Sequence, residues 1–135
     1  MKKLLFGILL PFHLVASPSP TAAAIPLHPL AGKQEFYSIR VYQLRTSQQE
    51  ARVDSFLQHA LLPALHRQGI AEVGVFKAVG NDTAAIRHIY VFIPLKSLEQ
   101  FAALPGSLAK DAQYLTDGKS YLDAGYDDPP YVRIE

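Results

Sequence analysis

Residues 35–44 place apolar side chains on both alternating faces of one extended run, which is rich in aromatic and β-branched residues. Side chains of a strand alternate with period two, so a strand in a half-solvated sheet shows one polar and one apolar face. A strand that is apolar on both faces has to be covered on both sides. That requirement governs what the rest of the chain must supply.

The elements that follow supply cover for one side. Ser47 and Glu50 have the spacing of a capping box, in which hydroxyl and carboxylate each satisfy a free backbone N–H at a helix start. Val53, Phe56, Leu57, Ala60, Leu61, Ala64 and Leu65 then recur at three and four residues, with Gly69 placed as the stop and Pro63 expected to bend the helix. Residues 72–79 and 86–93 read as two strands joined by the turn formers Gly80, Asn81, Asp82 and Thr83. A second helix is expected over 97–104, interrupted by Pro105 and Gly106 and resumed over 107–115 with Leu108, Ala112 and Leu115 on one side. Residues 121–130 read as loop, and 131–135 as a last strand started after a proline pair. The order βαββαβ predicts an α+β, ferredoxin-like fold: a four-stranded antiparallel sheet with two helices on one face.

Splitting the strands by parity assigns Ile39, Val41, Val73, Val75, Val79, Ile89, Val91 and Ile93 to the helix-covered core. The opposite set is Phe36, Arg40, Tyr42, Phe76, His88, Tyr90 and Phe92, too apolar to be left in water. The simplest cover is a second sheet of the same kind, packed about 10 Å away, from another copy of the chain or from a following repeat.

The start of the chain bears on destination. Lys2 and Lys3 precede an apolar run over residues 4–15 that contains Pro11 and dissolves into a Ser/Pro/Thr/Ala stretch. A spanning helix needs roughly 20 apolar residues, so the pattern reads as a removable secretory signal rather than a stable membrane anchor. Ala22, Ala23 and Ala24 suit the cleavage site, which divides the chain into a signal peptide (1–24), a Pro/Gly-punctuated linker (25–33) and one domain (34–135). Export to the periplasm or the medium is the expectation. With no cysteine, neither a disulfide framework nor a lipid-modified cysteine is possible. Removing the signal takes the formal charge from +1 to −1, leaving 11 basic and 12 acidic residues, so no electrostatic case for nucleic acid survives.

The segments IRVYQL (39–44), EARVDSFL (50–57), LPALHRQGI (62–70), VGVFK (73–77), NDT (81–83) and IYVFIPLKSLEQF (89–101) together resemble the NIPSNAP family of the dimeric α/β-barrel superfamily. The resemblance spans about residues 35–101 and rests on structural segments. It implies a ferredoxin-like unit that pairs through its sheet, as a homodimer or with a second tandem repeat. The family has no agreed catalytic signature. Relatives in the superfamily include cofactor-independent monooxygenases, muconolactone-type isomerases and haem-handling enzymes, which place ligands between sheet and helices.

Candidate chemistry is sparse. If the parity holds, Arg40 and His88 converge with Tyr42 and Tyr90 on the non-helical face, where His88 would act as general base and Arg40 would steady an enolate-like oxygen. Phe36, Phe76 and Phe92 complete that face as ligand-binding or interface residues. His59 and His66 are seven apart, lack the i, i+4 spacing of a metal pair, and read as solvated helix residues; no metal and no cofactor is implied. A haem held by His59, His66 or His88 is the remaining alternative. Asp127 and Asp128 precede two prolines and suit a turn, and Lys77 marks a sheet edge or a strand end rather than a buried catalytic amine. There is no phosphate loop, G-x-S-x-G elbow, H-E-x-x-H helix or cysteine nucleophile. The leading expectation is therefore a small-ligand or partner-binding barrel protein. The alternative is a cofactor-independent monooxygenase or isomerase acting on a small aromatic compound.

Overall fold

β1 (Phe36–Leu44) leads into a helical stretch made of α1 (Ser47–Phe56), a π-helical turn (Leu57–Leu61) and α2 (Leu62–Arg67). β2 (Gly74–Lys77) and β3 (Arg87–Leu95) follow, joined through a 3₁₀ turn at Asn81–Thr83, and then come α3 (Leu98–Leu108), α4 (Ala112–Asp117), α5 (Lys119–Leu122) and a short β4 (Arg133–Ile134). This computed structural model describes residues 35–135; the expected signal peptide and the whole of the expected linker lie outside the described residues. The four strands form one sheet in the order β2-β3-β1-β4, with every neighbouring pair antiparallel.

The first helix starts one residue earlier than the sequence pattern suggests. Thr46, in extended conformation, is the N-cap: its Oγ1 accepts from Gln49 N at 3.1 Å, and Gln49 Oε1 reaches back to accept from Arg45 N at 2.8 Å. The expected Ser47–Glu50 pair is thus displaced by an equivalent pair beside it. The same device starts α3, where Ser97 Oγ accepts from Gln100 N and Gln100 Oε1 from Lys96 N. Pro63 disturbs its helix as expected. It has no N–H to give the carbonyl of His59, and the π-helical turn falls immediately before α2.

Pro105 does not end α3, contrary to expectation. The helix runs through it to Leu108, and the break falls at residues 109–111, where Asp111 caps α4 through its Oδ1 and Tyr114 N. Pro105 and Phe101, whose carbonyl loses its helical donor, are both exposed, so water can replace the missing bond. Leu115 consequently faces solvent rather than the core, and part of the expected loop over 121–130 is taken by α5.

Displaced from its capping role, Glu50 ties α1 to two strands. It meets Lys77 Nζ at 2.8 Å and Arg87 Nη1 at 2.7 Å, while Lys77 also reaches Asp54 at 2.6 Å. Asn81 Nδ2 donates to Glu50 Oε1, and Asn81 Oδ1 accepts from His88 N, which fixes the β2–β3 turn. The Lys77 ammonium holds the Glu50 carboxyl below the usual carboxylate range; Arg87 and Asn81 add to this against the opposing effect of burial. A carboxyl with a depressed folded-state pKa contributes stability above its unfolded value and loses it as pH falls through the folded value. Glu50→Gln should therefore lower the thermal midpoint at pH 7, and the gap to the parent should narrow progressively as the pH is taken below the ordinary carboxylate range. Circular-dichroism melts over a series of pH values from 7 downward check this; a gap of constant size would remove Glu50 from the acid-sensitive part of the fold.

Candidate ligand site

Register divides the sheet into two faces. Val91, Ile89 and Ile93 on β3 are fully buried, and opposite them in register stand Arg40, Tyr42 and Ser38 of β1. These β1 residues therefore share the helix-covered face, where Tyr42 is 1% exposed and belongs to one apolar cluster with residues of α1, α2 and α3. The β3 half of the parity expectation stands, but the β1 half is reversed: Phe36, Arg40 and Tyr42 lie under the helices, while Ile39 and Val41 lie on the open face. Apolar character on both parities of β1 left the choice to its partner, since pairing Tyr42 with Ile89 fixes every other β1 side chain.

The open face nevertheless remains apolar. Ile39 and Phe76 are each 59% exposed, Tyr37 is 50% and Tyr90 is 37% exposed, and Phe92 stacks on Tyr37 with ring centroids 4.8 Å apart. His88 lies against Tyr90 on the same face, and Phe76 folds its ring over Gly74, where no side chain obstructs it. Gln43, Arg133 and Glu135 give this face a polar border: Gln43 Nε2 donates to Glu135 Oε1, and Arg133 Nε pairs with the same oxygen.

The expected pairing of His88 with Arg40 does not occur. Gln43 is the partner of His88 and Val91 that of Arg40, which puts the two side chains on opposite faces of the sheet. Tyr42 and Tyr90 are separated in the same way. A base at His88 and an oxygen-binding cation at Arg40 are thus not available to one substrate. His59 and His66 are exposed on the first helical stretch, and Asp128 pairs with Arg52 at the surface. Among the described residues no cluster of three or more His, Cys, Asp or Glu is arranged to hold a metal ion.

What the structure brings together instead is a cleft on the helix-covered side. It has a volume of about 460 Å³ and is bordered by Arg40 and Tyr42 from the sheet, Phe56 from α1, Phe101 and Leu104 from α3, and Tyr114 and Tyr121 from α4 and α5. That volume falls in the range of small-molecule sites. Tyr121 stacks on Phe56 at 3.8 Å with planes 10° apart, and Tyr42 meets Tyr121 and Tyr131 edge-on at 6.5 and 6.4 Å. Burial pushes the Tyr121 phenol far above its ordinary range, with the neighbouring tyrosines adding to the shift. Burial likewise raises Tyr42, against the Arg40 guanidinium beside it, and it raises Tyr114. All three phenols therefore stay protonated at neutral pH and present neutral O–H donors.

Sequence reasoning picked out Arg40 and Tyr42 but missed Tyr114, Tyr121, Phe56 and Phe101. The seven-residue spacing of Tyr114 and Tyr121 was an available signal, since two helical turns return to one face. Reading 121–130 as loop concealed it.

These observations define a mixed α/β protein whose antiparallel sheet carries its helices, and a ligand-sized cleft, on one face. No family model matches the chain, and no similar curated protein or solved structure is found. Among the described residues no helix is long and apolar enough to cross a membrane.

Proposed function

We propose that this chain is an exported, NIPSNAP-like protein of the ferredoxin-like, dimeric α/β-barrel type, which pairs with a second copy through its open sheet face and binds a small ligand under its helices. The observation that carries the reading is the open face itself: Tyr37, Ile39, Phe76 and Tyr90 stay substantially exposed on a sheet whose other face is already packed. A patch of this kind is what interaction surfaces look like on soluble domains. A second copy is the natural occupant, because an apolar sheet face with a polar border can pack on the same face of another copy about a two-fold axis. The strand order β2-β3-β1-β4 supports the ferredoxin-like assignment, and the basic and apolar start of the chain supports export.

Binding is favoured over catalysis because the acid–base pair expected of an oxygenase or isomerase is split between the two faces. Light scattering on the chain freed of residues 1–24 should return twice the monomer mass at micromolar concentration. A monomer with an intact sheet spectrum would overturn the assembly.

A further inference from the structure

Arg40 is partly buried, on the side of the sheet that the helices cover. It shares the helix-covered face with fully buried Val91 and with Tyr42, and it borders both the cleft described above and an adjoining one of about 360 Å³ toward Leu108 and Leu122. Arg52, Arg67, Arg87 and Arg133 each meet a carboxylate, whereas among the described residues Arg40 and Arg45 join no ion pair, and of these two Arg45 is exposed while Arg40 is partly buried. Residues 1–34 contain no Asp or Glu that could serve it. Glu135 borders the cleft, but its side-chain carboxylate is taken by Gln43 at 3.2 Å and Arg133 at 3.3 Å. An uncompensated charge on a largely apolar surface costs stability, and such local inconsistencies concentrate at functional sites.

We infer that Arg40 anchors the carboxylate of a small aromatic acid, with the Tyr42 and Tyr121 phenols beside it and the ring of the acid lodged against Phe56, Phe101 and Leu104. The inference rests on the reading of the cleft as a ligand site and adds the chemical class of the ligand. A guanidinium offers a planar fork of donors that matches a carboxylate, and protonated phenols can donate to the same oxygens without adding charge. The aromatic lining suits a flat apolar body.

Matched pairs of acids and amides test this: benzoate with benzamide, phenylacetate with phenylacetamide, and 4-hydroxybenzoate with 4-hydroxybenzamide. Each is titrated into the purified chain while the Arg40 Nε–H and tyrosine ring signals are followed by NMR. The acids should shift the Arg40 signal and bind at least about tenfold more tightly than their amides. Arg40→Met should abolish that preference while still admitting both members of a pair, with the fold maintained because an unpaired charge has been removed. Arg40→Lys keeps the charge but not the fork, and should retain only part of the preference. Equal binding of acid and amide to the parent would overturn the carboxylate assignment and leave the ligand site standing. Absence of binding by any member would overturn both.

Discussion

With Ile39 and Phe76 both replaced by glutamate, the chain is expected to run as a folded monomer at concentrations where the proposed dimer of the parent would form. Each side chain is 59% exposed in the isolated chain, so neither substitution disturbs the core, and the thermal midpoint of the subunit should change little. At a two-fold interface the pair occurs twice, giving four apolar burials lost at on the order of 1 kcal/mol each, which weakens association roughly a thousandfold. Desolvating four carboxylates against an aromatic surface adds to that penalty. Sedimentation across a dilution series reads the dissociation constant directly. A double variant that stays dimeric with unchanged affinity would move the interface elsewhere on the molecule.

The positions chosen for that experiment show what can and cannot be read along a chain. On β3 the alternation of Ile89, Val91 and Ile93 with His88, Tyr90 and Phe92 separates compact aliphatic from aromatic residues, and the inward set is readily identified. On β1 the same criterion selects Ile39 and Val41 as inward, and the structure places them outward. Both parities of β1 are apolar, so local pattern carries no vote; the decision comes from pairing with β3 some fifty residues away. A one-residue ambiguity of the same kind moved the helix cap from Ser47 to Thr46, since either hydroxyl can cap and either Gln49 or Glu50 can answer it. The consequence reached further, because it freed Glu50 for Lys77 and Arg87. The four strands of the antiparallel sheet and the apolar stripe of the first helix were legible because they depend on local periodicity. The composition of the cleft was not, because Tyr114 and Tyr121 come to line the same cleft as Arg40 only through the return of the chain after α3.

Reversal of β1 makes Tyr42 the residue on which the packing turns, and Tyr42→Ala should be the most damaging single substitution in the sheet. Its ring is 1% exposed, lies edge-on to Tyr121 and Tyr131, and stands opposite fully buried Ile89. Deleting a buried aromatic side chain costs about 3–5 kcal/mol, through lost transfer energy and the cavity left behind. Tyr42→Phe keeps the ring and removes only the hydroxyl, so its cost should stay near about 1 kcal/mol. Both belong in the Ile39→Glu, Phe76→Glu background, because in a dimer the apparent stability depends on protomer concentration. Urea unfolding there separates the two placements of the ring. On the open face of a monomer Tyr42→Ala would be nearly neutral, whereas beneath the helices it removes a large part of the 5–15 kcal/mol that ordinarily holds a domain folded.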